Sequence, residues 1–146
     1  MINGQVVVID DREKRPWDFP GCNTTQDRLN VGDYTYEGFE EVFAVERKSL
    51  NDLATSCGTG RSRFEDEIRR AQDLAHFAVI IEADRAEAQA GNYYCNIHPN
   101  ALIGTIDKWP KKFPTLDFIW AGDRERAAQE AMYYLDRWYL NHAAIL

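Results

Sequence analysis

Apolar runs along the chain predict its strands. Residues 6–9 and 77–81 are continuous apolar runs, which is typical of central strands buried on both faces of a sheet. Four further segments, rich in β-branched and aromatic residues, are also predicted to be strands: 24–31, 34–36, 43–45 and 116–120.

Helical periodicity begins after the predicted strand 43–45. Ser49 is a predicted N-cap, and the glycine-containing residues 57–60 end the helix that it starts. A strongly amphipathic helix then begins at Ser62. Its apolar positions recur at helical spacing: Phe64, Ile68, Ala71 and Ala75.

The order of these elements predicts the fold class. Two further helices are expected, from Pro99 to about Phe113 and from Asp123 onward. Strands and helices thus alternate after Lys48, whereas the earlier strands follow one another as a meander. This pattern predicts an α/β fold with a mixed central sheet flanked by helices. At 146 residues the chain suits one core, so a single domain over residues 1–146 is expected.

The candidate chemistry lies where the predicted strand 43–45 runs into Glu46, Arg47 and Lys48. Charges are costly to bury, so such a strand end calls for a functional explanation. A hairpin ahead of this strand would place Asp33 beside Glu46, and a hard divalent cation such as Mg²⁺ relieves the repulsion between two carboxylates. Lys48 is two residues from Glu46 and is predicted to lie on the same side of the strand. This layout is typical of a metal-dependent phosphodiesterase.

A second acidic position follows the apolar run 6–9. Asp10 stands at the carboxyl end of that predicted strand, where sites of α/β sheets gather, so it either joins the metal site or starts the next turn. Arg12 has two open roles. Its guanidinium suits a phosphate oxygen, and it also suits an ion pair with Asp10 or Glu13.

The net charge of −7 argues mildly against nucleic acid as a partner. Two basic clusters soften that argument: Arg61, Arg63, Arg69 and Arg70 in one, and Lys108, Lys111 and Lys112 in the other. Three widely spaced cysteines indicate neither a zinc site nor a disulfide framework, and no apolar run reaches membrane-spanning length. These features lead us to expect an intracellular protein that is not associated with a membrane, cytoplasmic in a prokaryotic or phage-infected cell and nuclear in a eukaryotic one.

Four segments together resemble one nuclease family. Gly32-Asp33, followed by Glu-Arg-Lys-Ser-Leu-Asn-Asp at 46–52, is similar to the GD…ERKxxxD signature of the XPF-type structure-specific endonucleases. Residues 10–13 resemble the upstream D-x-R-E element of that family, and residues 60–64 resemble its arginine-bearing segment. The family belongs to the PD-(D/E)xK, or restriction-endonuclease-like, superfamily.

The resemblance implies a restriction-endonuclease-like fold and a site that binds Mg²⁺ or Mn²⁺ through Asp33, Glu46 and the main-chain carbonyl of Arg47. Lys48 would orient the attacking water or help to deprotonate it, with Asp10 as a further catalytic candidate. The arginines that would contact DNA are Arg12, Arg47, Arg61 and Arg63. The last residue of the signature, Asp52, either completes a helix cap with Ser49 or contacts Lys48 or Arg47 and helps to position that side chain.

The same resemblance, together with the aromatic C-terminal segment, shapes our expectations about partners. DNA that is branched or carries single-stranded arms is the expected substrate, with exposed bases stacking on Trp17 or Tyr34, although for Trp17 packing against the core is the favoured role. The last helix carries more aromatic surface than one face can bury, which favours a homodimer over a monomer with a larger core: Tyr133, Tyr134, Trp138 and Tyr139. The sequence has no helicase domain or helix-hairpin-helix module, so a partner protein that supplies further DNA binding is also considered.

Three functions therefore compete. The first is an XPF-like endonuclease that cuts near single-strand/double-strand junctions. The second is another PD-(D/E)xK nuclease, such as a junction resolvase or a phage DNA-processing enzyme. The third is a non-catalytic DNA-binding or partner-regulating module, which would be marked by decay of the site residues. All of the site residues are present here.

Overall fold

The protein forms one six-stranded sheet with helices on both faces. The computed structural model describes residues 4–145, and side chains as far as residue 142. The strands are β1 Val6–Asp10, β2 Asn23–Asp27, β3 Tyr34–Tyr36, β4 Phe43–Lys48, β5 His76–Ile81 and β6 Leu116–Trp120. The helices are α1 Leu50–Cys57, α2 Arg61–Ala71, α3 Arg85–Gln89, α4 Pro99–Lys112 and α5 Arg124–Ile145. The expected bounds of 1–146 include four residues that lie outside the described part.

The strand order is β2-β1-β3-β4-β5-β6. Strand β3 runs antiparallel to both β1 and β4, whereas β4, β5 and β6 are parallel to one another and β2 is parallel to β1. The predicted mixed sheet is confirmed. Because β4 and β5 are parallel, the charged end of β4 and the start of the segment after Ile81 lie at the same edge of the sheet.

Each face of the sheet has its own apolar core. Helices α1, α2 and α4 pack on one face, around Leu53, Ile68 and Leu102. Helix α5 packs on the other face, with Tyr34, Phe43 and Leu135 in that core. This two-sided burial is why 77–81 reads as an unbroken apolar run.

Several element bounds differ from those expected. Strand β4 continues through Lys48 because its backbone stays paired with β5 as far as Ile81. Strand β2 ends at Asp27 rather than at residue 31, since the N–H of Leu29 turns away to donate to Asp10 Oδ1 at 2.9 Å. Helix α2 ends at Ala71, so Ala75 lies outside it and is exposed.

One helix was not anticipated, whereas another has nearly the expected bounds. The short helix α3 was not predicted, because five residues carry too little periodicity to be recognised. Helix α4 continues to Lys112 with Pro110 inside it. Within the described residues, no helix combines the length and apolar character needed to cross a membrane.

Candidate active site

Asp33 is held against strand β4 by the backbone on both sides. Its N–H donates to Val45 O at 2.8 Å, and its carbonyl accepts from the N–H of Asp10 at 2.8 Å. The preceding Gly32 makes this approach possible. Its φ is +78°, and a Cβ added there would stand 3.0 Å from both Ala44 Cβ and Val45 O. The Gly-Asp pair is therefore a packing requirement that fixes the position of the carboxylate.

Glu46 and Lys48 lie on the same side of β4, as their spacing predicted. Glu46 is 7% exposed, and its Oε2 has no hydrogen-bond partner among the described residues. Lys48 Nζ stands 3.8 Å from that oxygen and donates to Ser56 Oγ at 3.0 Å. The ammonium group also lies 4.9 Å from the centre of the Phe64 ring, so Lys48 is held between β4 and the two helices that follow it.

A polar cavity of about 320 Å³ brings the acidic residues together. It is lined by Asp10, Arg12, Glu13, Asn30, Gly32, Asp33, Glu46, Arg63, Glu67 and Arg70. Asp10, Asp33 and Glu46, predicted from three separate segments, thus share one cavity. Glu13, Glu67 and Arg70 were not predicted as site residues. Glu13 is the last residue of the D-x-R-E element, and Arg63, Glu67 and Arg70 lie at helical spacing on one polar face, which predicts an ion pair of Glu67 with an arginine.

That ion pair is absent from the described residues, and Glu67 instead lies close to Glu46. Burial, the largest cause, raises the pKa of Glu46 well above its ordinary value. A hydrogen bond with Glu67 and the negative charges of Glu67 and Asp33 raise it further. The two glutamates form this bond only when one of them carries a proton, because two carboxylates offer no donor.

Asp33 is also difficult to ionise. Burial raises its pKa to about 7, against the lowering effect of the hydrogen bond from the Arg47 N–H at 2.8 Å. The charges of Glu13, Glu67 and Asp10 add to the rise. Strongly shifted carboxyl groups that face a common cavity are typical of a functional site.

Asp10 differs from these two carboxyl groups, because it is fully hydrogen-bonded. Arg12 Nε donates to one of its oxygens at 2.9 Å, and Arg12 Nη2 donates to the other at 3.2 Å. Burial alone would raise the pKa of Asp10, but these bonds and the one from the Leu29 N–H hold it below its ordinary value. Arg12 thus forms the expected ion pair with Asp10, while its side chain remains 57% exposed at the cavity. A catalytic role for Asp10 stays a prediction.

Arg47 contributes to the site through its main chain, and its side chain is engaged elsewhere. Its Nε donates to Glu82 Oε1 at 2.8 Å, and its Nη1 donates to the carbonyl of Arg15 at 2.6 Å. The other oxygen of Glu82 accepts from Trp17 Nε1 at 3.2 Å. DNA binding by the Arg47 guanidinium stays a prediction. In this structure the group connects the loop that contains Arg15 to strand β4.

Arg61 and Arg63, which were predicted to act together, lie in different cavities. Arg63 lines the acidic cavity, whereas Arg61 turns toward α4, where its Nη1 donates to Thr105 Oγ1 at 2.7 Å. Asp52 is exposed, and its N–H donates to Ser49 Oγ at 3.1 Å, which confirms the helix cap. Lys48 is paired with Ser56 and Glu46 rather than with Asp52, so the supporting role considered for Asp52 has no contact behind it.

The expectation that bases stack on Trp17 or Tyr34 is wrong. Trp17 is 3% exposed and Tyr34 is fully buried, and the two rings stack on each other with their centroids 4.7 Å apart. Their aromatic faces are therefore satisfied inside the core, which is the alternative that was favoured for Trp17.

The residues present fit a divalent cation bound by few protein ligands. Among the described residues, no group of three or more histidine, cysteine or acidic side chains is arranged to hold a metal ion. Mg²⁺ requires fewer, since it is commonly bound by one or two carboxylates together with water and substrate phosphate. Glu46 Oε2 accepts no hydrogen bond within the described residues, and the raised pKa values of Glu46 and Asp33 indicate two carboxyl groups whose negative charge is only partly offset by Lys48, 3.8 Å from that oxygen.

A larger groove, of about 700 Å³, lies on the opposite face between residues 17–20 and α5. Its walls are mainly apolar, with Phe19, Met132 and Tyr133 among them. It contains neither Asp33 nor Glu46, so the smaller cavity is the candidate active site.

The mixed six-stranded sheet with helices on both faces is the fold of the restriction-endonuclease-like class. A family model described as "ERCC4 domain" matches residues 9–131, and the chain belongs to this family. The resemblance to XPF-type nucleases is thereby confirmed, and it supports a DNA endonuclease of the structure-specific kind.

Comparison with solved structures shows the same fold. Of 19 matching chains, one is "XPF from Aeropyrum pernix", with a TM-score of 0.66 and 18% sequence identity. The match covers 90% of this chain and 60% of that chain. None of the curated proteins compared with the sequence matches it.

Proposed function

We propose that this protein is a divalent-metal-dependent DNA endonuclease that hydrolyses phosphodiester bonds near single-strand/double-strand junctions. The arrangement of three residues carries the proposal. Asp33 and Glu46 face one polar cavity, and the buried Oε2 of Glu46 accepts no hydrogen bond within the described residues. Lys48 Nζ lies 3.8 Å from that oxygen. Membership of the ERCC4 family supports it.

The metal ligands in this proposal are Asp33, Glu46 and the main-chain carbonyl of Arg47. When bound there, Mg²⁺ or Mn²⁺ would lower the pKa of a coordinated water and offset the charge of the phosphate in the transition state. The hydrogen bond from the Arg47 N–H fixes the Asp33 carboxylate, so that this ligand needs no rearrangement.

Lys48 is proposed to position the attacking water. Its ammonium group has three donors, of which one is directed to Ser56 Oγ at 3.0 Å. The remaining donors can hold a water or a phosphate oxygen beside Glu46. A cation–π contact with Phe64, whose ring centre is 4.9 Å from Nζ, helps to keep the ammonium group in place.

Arginines at the cavity are proposed to bind the phosphates on either side of the scissile bond. Arg63 and Arg70 come from α2, and Arg12 comes from the turn after β1. Within the described residues, Arg63 and Arg70 form no ion pair, so their guanidinium groups are available to phosphate oxygens.

The test is cleavage of labelled DNA by the purified protein in Mg²⁺ or Mn²⁺. The panel contains flap, fork, splayed-arm, junction and fully paired substrates of matched sequence. Asp33→Asn and Glu46→Gln should abolish turnover, whereas Asp52→Asn, an exposed carboxylate without a contact to the site, should retain it. Robust cleavage by Asp33→Asn, or by the wild type in excess EDTA, would contradict the proposal.

The same panel separates the alternatives. Equal rates on the splayed arm and the paired duplex would favour an unspecialised PD-(D/E)xK nuclease, and preference for the four-way junction would favour a resolvase. Binding without cleavage in either metal would favour a non-catalytic module or one that needs a partner protein.

A homodimer through α5 is a further proposal. Most of the aromatic surface that suggested it is used internally. Tyr134 is buried, and Trp138 and Tyr139 pack partly against the core. Tyr133 remains 73% exposed beside the apolar groove, and Leu140 is 55% exposed farther along the same helix. These side chains are what a second copy of the chain would cover.

A further inference from the structure

A second polar groove, of about 470 Å³, lies between α2 and α4. It is lined by Arg61, Asn100, Ala101, Gly104, Thr105, Lys108, Trp109 and Lys112. It shares no residue with the acidic cavity, and it contains no acidic side chain. In a chain of net charge −7, such a groove is a local exception.

Arg61 is fixed in this groove before any ligand arrives. Its Nη1 donates to Thr105 Oγ1 at 2.7 Å, and its guanidinium carbon lies 5.0 Å from the centre of the Trp109 ring. Thr105 Oγ1 in turn donates to Ala101 O at 3.0 Å. The side chain therefore loses little conformational freedom when its remaining N–H groups bind a phosphate.

The lysines in the groove add charge that nearby acids only partly offset. Lys108 forms no ion pair within the described residues, and Lys112 Nζ lies 3.1 Å from Glu65, which is shared with Arg69. Asp107, adjacent to Lys108 in the chain, is taken by both Nη groups of Arg85 at 2.8 Å.

One of the residues that line the groove is a glycine within α4. Gly104 stands in the middle of α4, where glycine is unfavourable, and a Cβ added there would meet nothing within 4 Å. Packing therefore does not require this glycine. Its effect is to let an extended ligand approach the helix closely.

Residues 94–97 run alongside α1, whose last residue Cys57 adjoins the groove because its carbonyl lies 3.4 Å from Arg61 Nη1. The Tyr94 N–H donates at 3.0 Å to Oδ1 of Asn51, in the first turn of α1 and three residues beyond Lys48. At the other end of α1, a Cβ added to Gly58 would lie 3.6 Å from Ile97 Cβ. At the Asn51 end of this segment Tyr94 is 93% exposed, so its ring is free to stack on a base.

We infer that this groove binds the phosphodiester backbone of a single-stranded DNA arm, which Tyr94 steers away from the active site by stacking on one of its bases. A basic groove with an exposed aromatic beside it is the arrangement that binds single strands without reading their sequence. The inference extends the proposed function, because the arm would be the single-stranded part of the cleaved junction.

The test measures binding separately from cleavage. Fluorescence anisotropy in EDTA gives the affinity for a labelled single strand, a splayed arm and a paired duplex. Lys108→Gln/Lys112→Gln should weaken binding of the first two about tenfold and lower the salt slope by about 1.4, since each contact with single-stranded DNA contributes about 0.7. Binding of the duplex should change much less.

Lys111→Gln and Tyr133→Ala are the matched controls. Lys111 is an exposed lysine of α4 outside the groove, and Tyr133 is an exposed tyrosine on the opposite face. Tyr94→Ala should weaken single-strand binding several-fold, and Tyr133→Ala should leave it unchanged. Equal effects of Lys111→Gln and the groove substitutions, or a double variant that binds like the wild type, would overturn the inference.

These results are distinguishable from failure of the proposed function. If the protein binds single strands through the groove but cuts nothing in Mg²⁺ or Mn²⁺, the result contradicts nuclease activity of the protein alone and supports single-strand binding at the groove. A protein that cuts the splayed arm with undiminished affinity in the Lys108→Gln/Lys112→Gln variant supports the nuclease and refutes the groove.

Discussion

The main-chain N–H of Arg47 donates a hydrogen bond to Oδ2 of Asp33 at 2.8 Å. Through this bond, the residue between Glu46 and Lys48 positions the carboxylate that is thirteen residues upstream of Glu46. The side chain of Arg47 extends toward Glu82. Its main chain therefore positions a candidate site residue, while its guanidinium stabilises the fold.

Gly32→Ala should displace Asp33 from β4. The new Cβ would lie 3.0 Å from backbone and side-chain atoms of β4, at a φ of +78° that alanine disfavours. Gly38→Ala is the control, because its φ is +92° and nothing lies within 4 Å of the new Cβ. Chemical denaturation should show Gly32→Ala to be less stable than Gly38→Ala by roughly 1–3 kcal/mol. Equal stability would show that β4 yields to the added methyl group.

Lys48→Met should slow cleavage on the order of a hundredfold while leaving DNA affinity nearly unchanged. Methionine retains much of the apolar stem and removes the ammonium group together with its contact to the Phe64 ring. Ser56→Ala removes only the hydrogen bond at 3.0 Å that anchors the ammonium, and a several-fold loss is expected. Single-turnover rates at saturating enzyme would measure both effects, and a larger loss for Ser56→Ala would contradict the role given to Lys48.

Without metal, the protein should lose stability as pH rises from about 4 to about 7. Burial raises the pKa of Asp33 to about 7 in the folded state, so the folded state binds more protons than the unfolded chain across this range. The contribution is fully present below the unfolded pKa of about 3.9 and is lost as pH passes the folded pKa. Denaturation midpoints in EDTA should show this slope. Mg²⁺ should stabilise the protein more at about pH 8 than at about pH 5.5, and Asp33→Asn should reduce both effects.

Glu67→Gln should stabilise the metal-free protein at neutral pH. The substitution removes a negative charge beside Glu46 and Asp33 and supplies an amide donor. Glu65→Gln is the control on the same helix, since Glu65 faces Arg69 and Lys112 and its loss should be neutral or mildly destabilising. Thermal unfolding in EDTA should separate the two variants, and isothermal titration with Mn²⁺ should show weaker metal binding for Glu67→Gln.

Tyr133→Glu should prevent dimer formation if α5 carries the interface. Tyr133 is 73% exposed, so the added charge has little effect on the fold of one chain. Light scattering at tens of micromolar protein should show a dimer for the wild type and a monomer for the variant. A wild-type mass equal to one chain would remove the dimer proposal.

Local patterns were sufficient to predict the strand that carries the site. The two-residue spacing of Glu46 and Lys48 placed them on one side of β4, and the apolar run before Asp10 placed it at a strand end. Patterns of this kind depend only on near neighbours in the sequence. They therefore also predicted β3 and β6 with the observed bounds.

What the sequence did not reveal depends on contacts between distant segments. Glu67 was read as a partner for its helical neighbours, because nothing local indicates that α2 packs with this face toward Glu46. Arg61 and Arg63 were grouped for the same reason. Two residues apart on a helix, they point to different sides, and the helix α4 that captures Arg61 begins 38 residues later. The burial of Trp17 and Tyr34 likewise follows from packing across the chain.

Helix α2 joins the two polar cavities. Arg63, Glu67 and Arg70 belong to the acidic cavity, and Arg61, on the first turn of the same helix, belongs to the basic groove. A displacement of this helix would move residues of both places at once, so under the two proposals a strand bound at Arg61 and a cation bound beside Glu67 would influence each other's affinity. Thermodynamic linkage would make that influence reciprocal. The factor by which the bound arm changes the affinity for Mg²⁺ equals the factor by which bound Mg²⁺ changes the affinity for the arm. Under the two proposals above, a junction with a free single-stranded arm would be the DNA that engages both ends of this helix.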